Sequence, residues 1–381
     1  MNNLLRSAES MMAEARASTG SNLPDDAVVE SLTVLLRSLN EEAGLHDAGR
    51  KGMHDKLLRI LCVRLRMKRD FAAHPEIHDQ PIIAPVFICG MGRTGSTKTQ
   101  KLMAASGDFN WLRYWQVIHS ALLGGRRDES PKQRIDETEA FVRWFDEASP
   151  ETKFGHAFAT RQPEEESFIL EQSLKSPVWM GWAPLPSYLG WLMTQDMSAQ
   201  FLHLRDTLKY LQWQGLAGAD RPWLLKSPLY SGMEPLLLET FPDARLLMTH
   251  RSPVETMPSG LRLLECFYKP FTDAAPDPLF YVAGQAHAIN THLDLRSTLK
   301  LLDLDFSEVV GPTEPLARKI WHWIGMPLSP QSLANMQRWD SENPSNKLGK
   351  HVYALDDYGL TREGVTKTFA RYIELIDRLP K

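Results

Sequence analysis

Apolar residues Val28, Leu32, Leu35, Leu36 and Leu39 recur at three- and four-residue steps, which lays them along one face of an α-helix. Pro24-Asp25-Asp26 in front of them is a start signal. Residues 53–68 repeat the pattern, with Leu57, Leu58, Ile60, Leu61 and Leu65 set among Lys and Arg. Residues 1 to about 75 therefore read as helices, and Pro75 and Pro81 punctuate a linker. The pattern then changes. Residues 85–89 (Pro-Val-Phe-Ile-Cys) are a short continuous apolar run rich in β-formers, as in a strand buried on both faces. Residues 90–95 are a glycine-rich turn, and 96–105 continue as a helix. From about 110 to 215 the chain reads as mostly helical, rich in Trp and broken near Pro177, Pro184 and Pro186. Strand signals return at 223–226 and 244–249, with a helix over 232–241 between them. Residues 299–306 form another apolar stretch, interrupted by Asp303 and Asp305. A helix over 314–325, a polar loop over 341–350 and a helix from about 362 complete the chain.

Strand–helix–strand alternation implies an α/β fold with a central parallel sheet flanked by helices. The organisation expected is an N-terminal helical extension (1–80) and an α/β domain (81–381) carrying a helical cap inserted at about 110–215. The extension has two arrangements open to it, packing on the sheet as a cap or against a second subunit in a homodimer.

The 381 residues include 43 Lys and Arg against 47 Asp and Glu, for a net charge of −4. A duplex nucleic acid is therefore not the expected partner, and any bound anion must be held by a local site. Hydrophobic residues at 43% and charged residues at 24% exclude disordered, collagen-like and coiled-coil classes. Cys62, Cys89 and Cys266 are too few and scattered for a disulfide framework or a Cys-based zinc site. That suits a reducing compartment. The N-terminus lacks a continuous apolar h-region, and no run approaches the ~18 residues of a membrane span. A cytoplasmic protein is the expectation.

The chemistry concentrates in Gly90-Met91-Gly92-Arg93-Thr94-Gly95-Ser96-Thr97. A phosphate cradle needs unhindered backbone N–H groups at a helix N-terminus, where the macrodipole also favours an anion. Three glycines permit that turn, Arg93 adds a charged fork, and Ser96 and Thr97 add hydroxyls. The spacing from Gly90 to Gly95, and Thr97, fit the Walker pattern, but Ser96 stands where the Walker lysine belongs. This argues against an ATP or GTP hydrolase or kinase. A second strand ends in Thr249-His250-Arg251-Ser252-Pro253, with Ser259 eight residues past Arg251. Arg plus hydroxyl is a sensible grip for a phosphate monoester. A third strand end carries Lys226-Ser227-Pro228. Ligands of open α/β sheets sit outside the carboxyl ends of the strands, so the three strand ends are expected to meet around one anionic ligand.

These strings resemble the sulfotransferase family. Residues 87–97 are similar to its 5′-phosphosulfate loop, and residues 249–259 to its 3′-phosphate segment, with the same Arg-to-Ser spacing. Leu224-Leu-Lys-Ser-Pro228, Pro163-Glu-Glu165, Pro186-Ser-Tyr-Leu189 and residues 351–360 resemble the bacterial branch. The resemblance implies 3′-phosphoadenosine 5′-phosphosulfate as donor, adenosine 3′,5′-bisphosphate as product, and a small-molecule alcohol, phenol or amine as acceptor. It assigns Arg93, Thr94, Gly95, Ser96 and Thr97 to the 5′ phosphosulfate and Arg251 with Ser259 to the 3′ phosphate. Lys226 matches the family lysine near the bridging oxygen. A sulfuryl group carries less negative charge than a phosphoryl group, so fixed cations and N–H donors are expected to suffice without a metal. The Trp, Met and Tyr residues of 111–192 suggest an apolar or aromatic acceptor. Lys347, Lys350 and His351 lie in a polar loop that is expected to fold over the nucleotide.

The acceptor hydroxyl needs a general base. Where relatives often carry a Glu, this chain has Gln116, and where they often carry a His after the Lys-Ser-Pro segment, it has Leu229-Tyr230. Three candidates follow: His156 first, then Glu165 and His119. A nucleotide-binding protein with altered catalysis is the alternative that Gln116 and Tyr230 raise. Lys98 and Thr99 hold places usually apolar in the family, with solvent or the donor's anionic end as the destinations of Lys98.

Overall fold

The structure is a computed structural model that describes residues 5–344 and 353–379. Helices α1 (Ala8–Thr19), α2 (Val29–Glu41) and α3 (Asp47–Ala73) form the N-terminal extension. The Ser7 hydroxyl caps α1 by accepting the Ser10 N–H, and the His46 ring caps α3 by accepting that of Gly49. Met11, Leu32, Leu35, Leu57 and Ile60 from these helices are fully buried. They share one apolar core with Phe87 from the first strand and with Trp179 and Trp182 farther on. The extension is thus packed on the rest of its own chain.

Beyond β1 (Val86–Cys89) come α4 (Ser96–Ala105) and the two-residue strand β2 (Asn110–Trp111). An insertion follows, with α5 (Tyr114–Ile118), α6 (Lys132–Ala148), α7 (Thr152–Gly155), α8 (Ser167–Leu170), α9 (Pro186–Leu192) and α10 (Ser198–Trp213). The chain returns as β3 (Trp223–Lys226), α11 (Glu234–Thr240), β4 (Arg245–His250), α12 (Pro253–Tyr268), α13 (Pro278–Leu295) and β5 (Leu301–Asp305). It ends in α14 (Phe306–Val310), α15 (Thr313–Ile324), α16 (Pro330–Glu342), α17 (Arg362–Thr368) and α18 (Ala370–Ile376). The five strands pair in the order β2-β3-β1-β4-β5, all parallel.

Alternation along β1 explains its unbroken apolar run. Val86 and Ile88 join a core with Leu102 and Met103 of α4 and Ile320 and Trp321 of α15. Phe87 and Cys89 face the other way, into the core shared with the extension. A strand covered on both faces has no solvent side to mark with polar residues. Strand β5 departs from that pattern, because Asp303 pairs with His250 of β4 at 2.8 Å and with Arg296. The chain runs from β1 out to β2, back to β3 beside β1, then across to β4 on its other flank. The connections reverse at β1, so the loops after β1, β3 and β4 converge at the carboxyl edge there. Among the described residues, no helix is long and apolar enough to cross a membrane.

Candidate active site

The turn between β1 and α4 is shaped by close backbone approach. Gly90 has φ +115°, and a Cβ there would lie 2.5 Å from the Thr249 carbonyl oxygen of β4. Gly95 has φ +89°, and its Cβ would fall 2.8 Å from Val309. Both positions require glycine. Arg93 is left-handed too, at φ +70°, a strained state for a residue with a Cβ and one that gathers at ligand sites. Thr94 bonds the Met91 carbonyl and the Thr249 hydroxyl, each at 2.7 Å, which pins the turn to β4. Because Gly95 is the N-cap of α4 and offers no side chain, the first N–H groups of the helix have no side-chain acceptor. Ser96 is buried at this helix start and Thr97 is exposed.

Arg93 does not point back at the helix start. Its Nε donates to Ser259 Oγ at 2.8 Å and its Nη1 to the Gly155 carbonyl at 2.8 Å. Arg251 donates to the Arg93 carbonyl at 3.3 Å and to Glu255 at 3.0 Å, and stacks 4.1 Å from the Phe306 ring centroid. Ser259, on α12, donates to the Tyr353 hydroxyl at 2.7 Å. Arg93, Arg251 and Ser259 line one cleft of about 960 Å³, with Phe154, Phe306 and Tyr353 supplying apolar walls. The glycine turn and the Arg–Ser pair, 166 residues apart in the chain at Arg93 and Ser259, are therefore in direct contact.

A second cluster adjoins this cleft at Gly155. His156 Nε2 lies 3.0 Å from Glu164 Oε1, and its Nδ1 lies 3.8 Å from Glu165 Oε1. The Lys226 ammonium, at the end of β3, is ion-paired to Glu165. Burial pushes the Glu164 carboxyl up, but the charge and hydrogen bond of His156 outweigh it, so the group sits below its ordinary value. Glu166 holds the strand end from beneath, accepting the Lys226 backbone N–H at 2.8 Å and the Tyr230 hydroxyl. Burial pushes Glu166 up to about 7. The ligand atoms of His156, Glu164 and Glu165 lie within 4.8 Å of one another, a spacing a divalent ion accepts. The Lys226 ammonium on Glu165 makes them a poor fit for one, since it already supplies positive charge there.

His156, Glu165 and Lys226 are thus brought together. His119 is not among them. It is buried against α6 with Nδ1 3.6 Å from Glu137 Oε2, and burial followed by the charges of Arg59, Arg66 and Arg134 holds its pKa well below the usual range. Gln116 is committed elsewhere, its Oε1 capping α5 by accepting the Arg113 N–H at 2.8 Å. Lys98 reaches neither solvent alone nor the loop, for its amine pairs with Asp340 of α16 at 3.0 Å. Lys347, Lys350 and His351 lie outside the described residues. Glu164 and Glu166 were not singled out by sequence, although both sit in the Pro-Glu-Glu-Glu run that pointed to Glu165.

A model described as the sulfotransferase family matches residues 85–330, more than half of the chain. An omega-hydroxy-beta-dihydromenaquinone-9 sulfotransferase, Stf3, from Mycobacterium bovis is 22% identical over 327 residues, covering 77% of this chain and 74% of its own. The crystal structure of sulfotransferase STF9 from Mycobacterium avium superposes with a TM-score of 0.84 at 25% identity, covering 99% of this chain and 98% of that one. Sulfotransferase STF1 from Mycobacterium tuberculosis H37Rv gives 0.79 at 25% identity, over 97% and 100%.

Proposed function

The chain belongs to the sulfotransferase family, and from that premise we propose that it moves a sulfuryl group from 3′-phosphoadenosine 5′-phosphosulfate to a hydroxyl of a small apolar or aromatic acceptor. The observation that carries this reading is the meeting of two anion grips at one cleft, where the Gly90–Thr97 turn touches Arg251 and Ser259 through Arg93. A donor with phosphate at one end and phosphosulfate at the other needs both. The donor supplies an activated sulfuryl group. Its sulfur–oxygen bond to phosphate breaks with the electron pair staying on the phosphate, while a new bond forms to the acceptor oxygen.

The chain's residues take four tasks. The N–H groups at the start of α4 stabilise the charge at the 5′ end. Lys226 meets the bridging oxygen once it leaves Glu165. Glu164 accepts a hydrogen bond from the His156 Nε2–H and so holds the tautomer whose Nδ1 lone pair can take the acceptor's proton, giving an imidazolium that the Glu164 carboxylate stabilises. Phe158 and Phe267, with ring centroids 5.0 and 5.8 Å from that of His156, offer apolar surface for the acceptor. The omega-hydroxy compound in the name of Stf3 supports a hydroxyl acceptor.

Two outcomes test this reading. Arg251→Ala should weaken calorimetric binding of adenosine 3′,5′-bisphosphate by about 1.5–3 kcal/mol, the worth of a charge-assisted contact; unchanged affinity would overturn the proposed 3′ grip. Because lysine and arginine supply the positive charge, turnover is expected to survive prolonged chelation with EDTA. A loss restored by Mg²⁺ would place a divalent ion in the reaction.

A further inference from the structure

The cations around the helix start are nearly all engaged. Arg93 is directed at Ser259 and Gly155, Lys98 at Asp340, and Lys226 at Glu165. Ser96 occupies the place of the Walker lysine. The sulfuryl end of the donor, in the function proposed above, would thus meet backbone N–H groups and a lysine already tied to a carboxylate.

Lys101 is the exception. It lies on α4 four residues beyond Thr97, on the same helix face. A helical side chain leans toward the N-terminus of its helix, and for Lys101 that is the direction of the turn. The neighbouring Gln100 donates to the Glu164 carbonyl at 3.1 Å, which seats this stretch of α4 on the loop bearing Glu164 and Glu165. Lys101 is partly buried, and among the described residues it makes no hydrogen bond or ion pair. Burial brings its pKa below the usual lysine range, and the charges it feels are those of Glu164 and Lys226, two groups of the transfer centre. A partly desolvated ammonium without a close partner is an unfavourable arrangement that a bound anion relieves.

We propose that Lys101 is a further donor-binding residue, supplying to the sulfuryl oxygens, from one turn along α4, the cation that a Walker loop carries at the position of Ser96. This rests on the donor assignment made above. It has a signature that the assignment alone does not, because adenosine 3′,5′-bisphosphate lacks the sulfuryl group. Lys101 should distinguish donor from product.

The test is calorimetric titration of the full chain with each nucleotide, for the wild type, Lys101→Met and Lys101→Arg. The methionine variant should bind the donor about tenfold or more weakly and the bisphosphate within about twofold, with arginine restoring most of the donor affinity. Equal affinity for both nucleotides in the methionine variant and the wild type would overturn the role of Lys101 and leave the sulfuryl-transfer reading intact. Equal weakening of both would overturn it as well. A wild type that binds neither nucleotide defeats the donor assignment, and this proposal with it. Should the variants misfold, reductive methylation of wild-type lysines decides the matter. Protection of Lys101 by donor and not by bisphosphate supports the proposal, and equal or absent protection overturns it.

Discussion

His156→Ala is expected to lower kcat by about 10²–10⁴, the span of a lost general base, with affinity for adenosine 3′,5′-bisphosphate unchanged. The split follows from position. His156 bonds Glu164 and faces Glu165, on the Lys226 side of the site, while Arg93, Arg251 and Ser259, the nucleotide grips in the function proposed above, line the neighbouring cleft. Turnover is read as bisphosphate released with a hydroxyl acceptor that the wild type uses. Glu164→Gln supplies the companion result. An amide can orient the ring but no longer stabilises the imidazolium that proton transfer creates, so kcat should fall while binding holds. A His156→Ala enzyme with near-normal turnover would move the role of base to Glu165.

The second large effect concerns stability. Lys56 of α3 and Glu171, in the turn after α8, form a buried pair at 2.6 Å, with side chains 3% and 0% exposed. The Trp182 indole N–H donates to the other carboxylate oxygen at 2.8 Å, and the Lys56 ammonium lies 3.9 Å from a Trp182 ring centroid. Glu171→Ala leaves that ammonium buried with only the Trp182 and Trp179 rings beside it. Breaking one side of such a pair costs about 3–5 kcal/mol, to be read from urea unfolding. Lys56→Met should cost less. In that variant Glu171 keeps the Trp182 indole donor on one carboxylate oxygen, whereas the ammonium left by Glu171→Ala keeps no hydrogen-bond partner from the pair. The Lys56→Met/Glu171→Met double variant should be more stable than Glu171→Ala alone. If Glu171→Ala unfolds at the wild-type urea concentration, the pair does not hold the extension to the cap.

How much of this could be read from the sequence depended on whether a residue's purpose is local. β1 and its turn were readable because an unbroken apolar run and three glycines are each explained within ten residues. The Arg251–Ser259 pair was readable because a strand end carrying Arg251 runs straight into a helical segment, α12, which brings Ser259 back toward it. β2 escaped because two residues carry no periodicity. β5 was blurred by Asp303, whose carboxylate answers to His250 and Arg296 rather than to solvent. The helices α13 and α16 left no assigned pattern, though α13 buries Val282, Ala286 and Ile289 at helical steps. In the site, Tyr230 appeared only as a missing base, because its hydrogen bond to Glu166 spans 64 residues. Lys98 was misdirected for the same reason, its partner Asp340 lying far along the chain. Lys101 had a readable signal in its four-residue offset from Thr97, which a search for contiguous motifs passes over.

The strand order also governs how the molecule is made. β1 is the middle of the sheet, yet it pairs only with β3 and β4, which end at Lys226 and His250. During synthesis its Val-Phe-Ile-Cys run therefore emerges from the ribosome long before either neighbour exists. The extension has local partners and can begin to assemble at once, since α1 packs on α2 and α3. The central strand must wait, as non-local pairings do. In that interval the nascent polypeptide displays a sticky apolar segment of the kind that chaperones shelter.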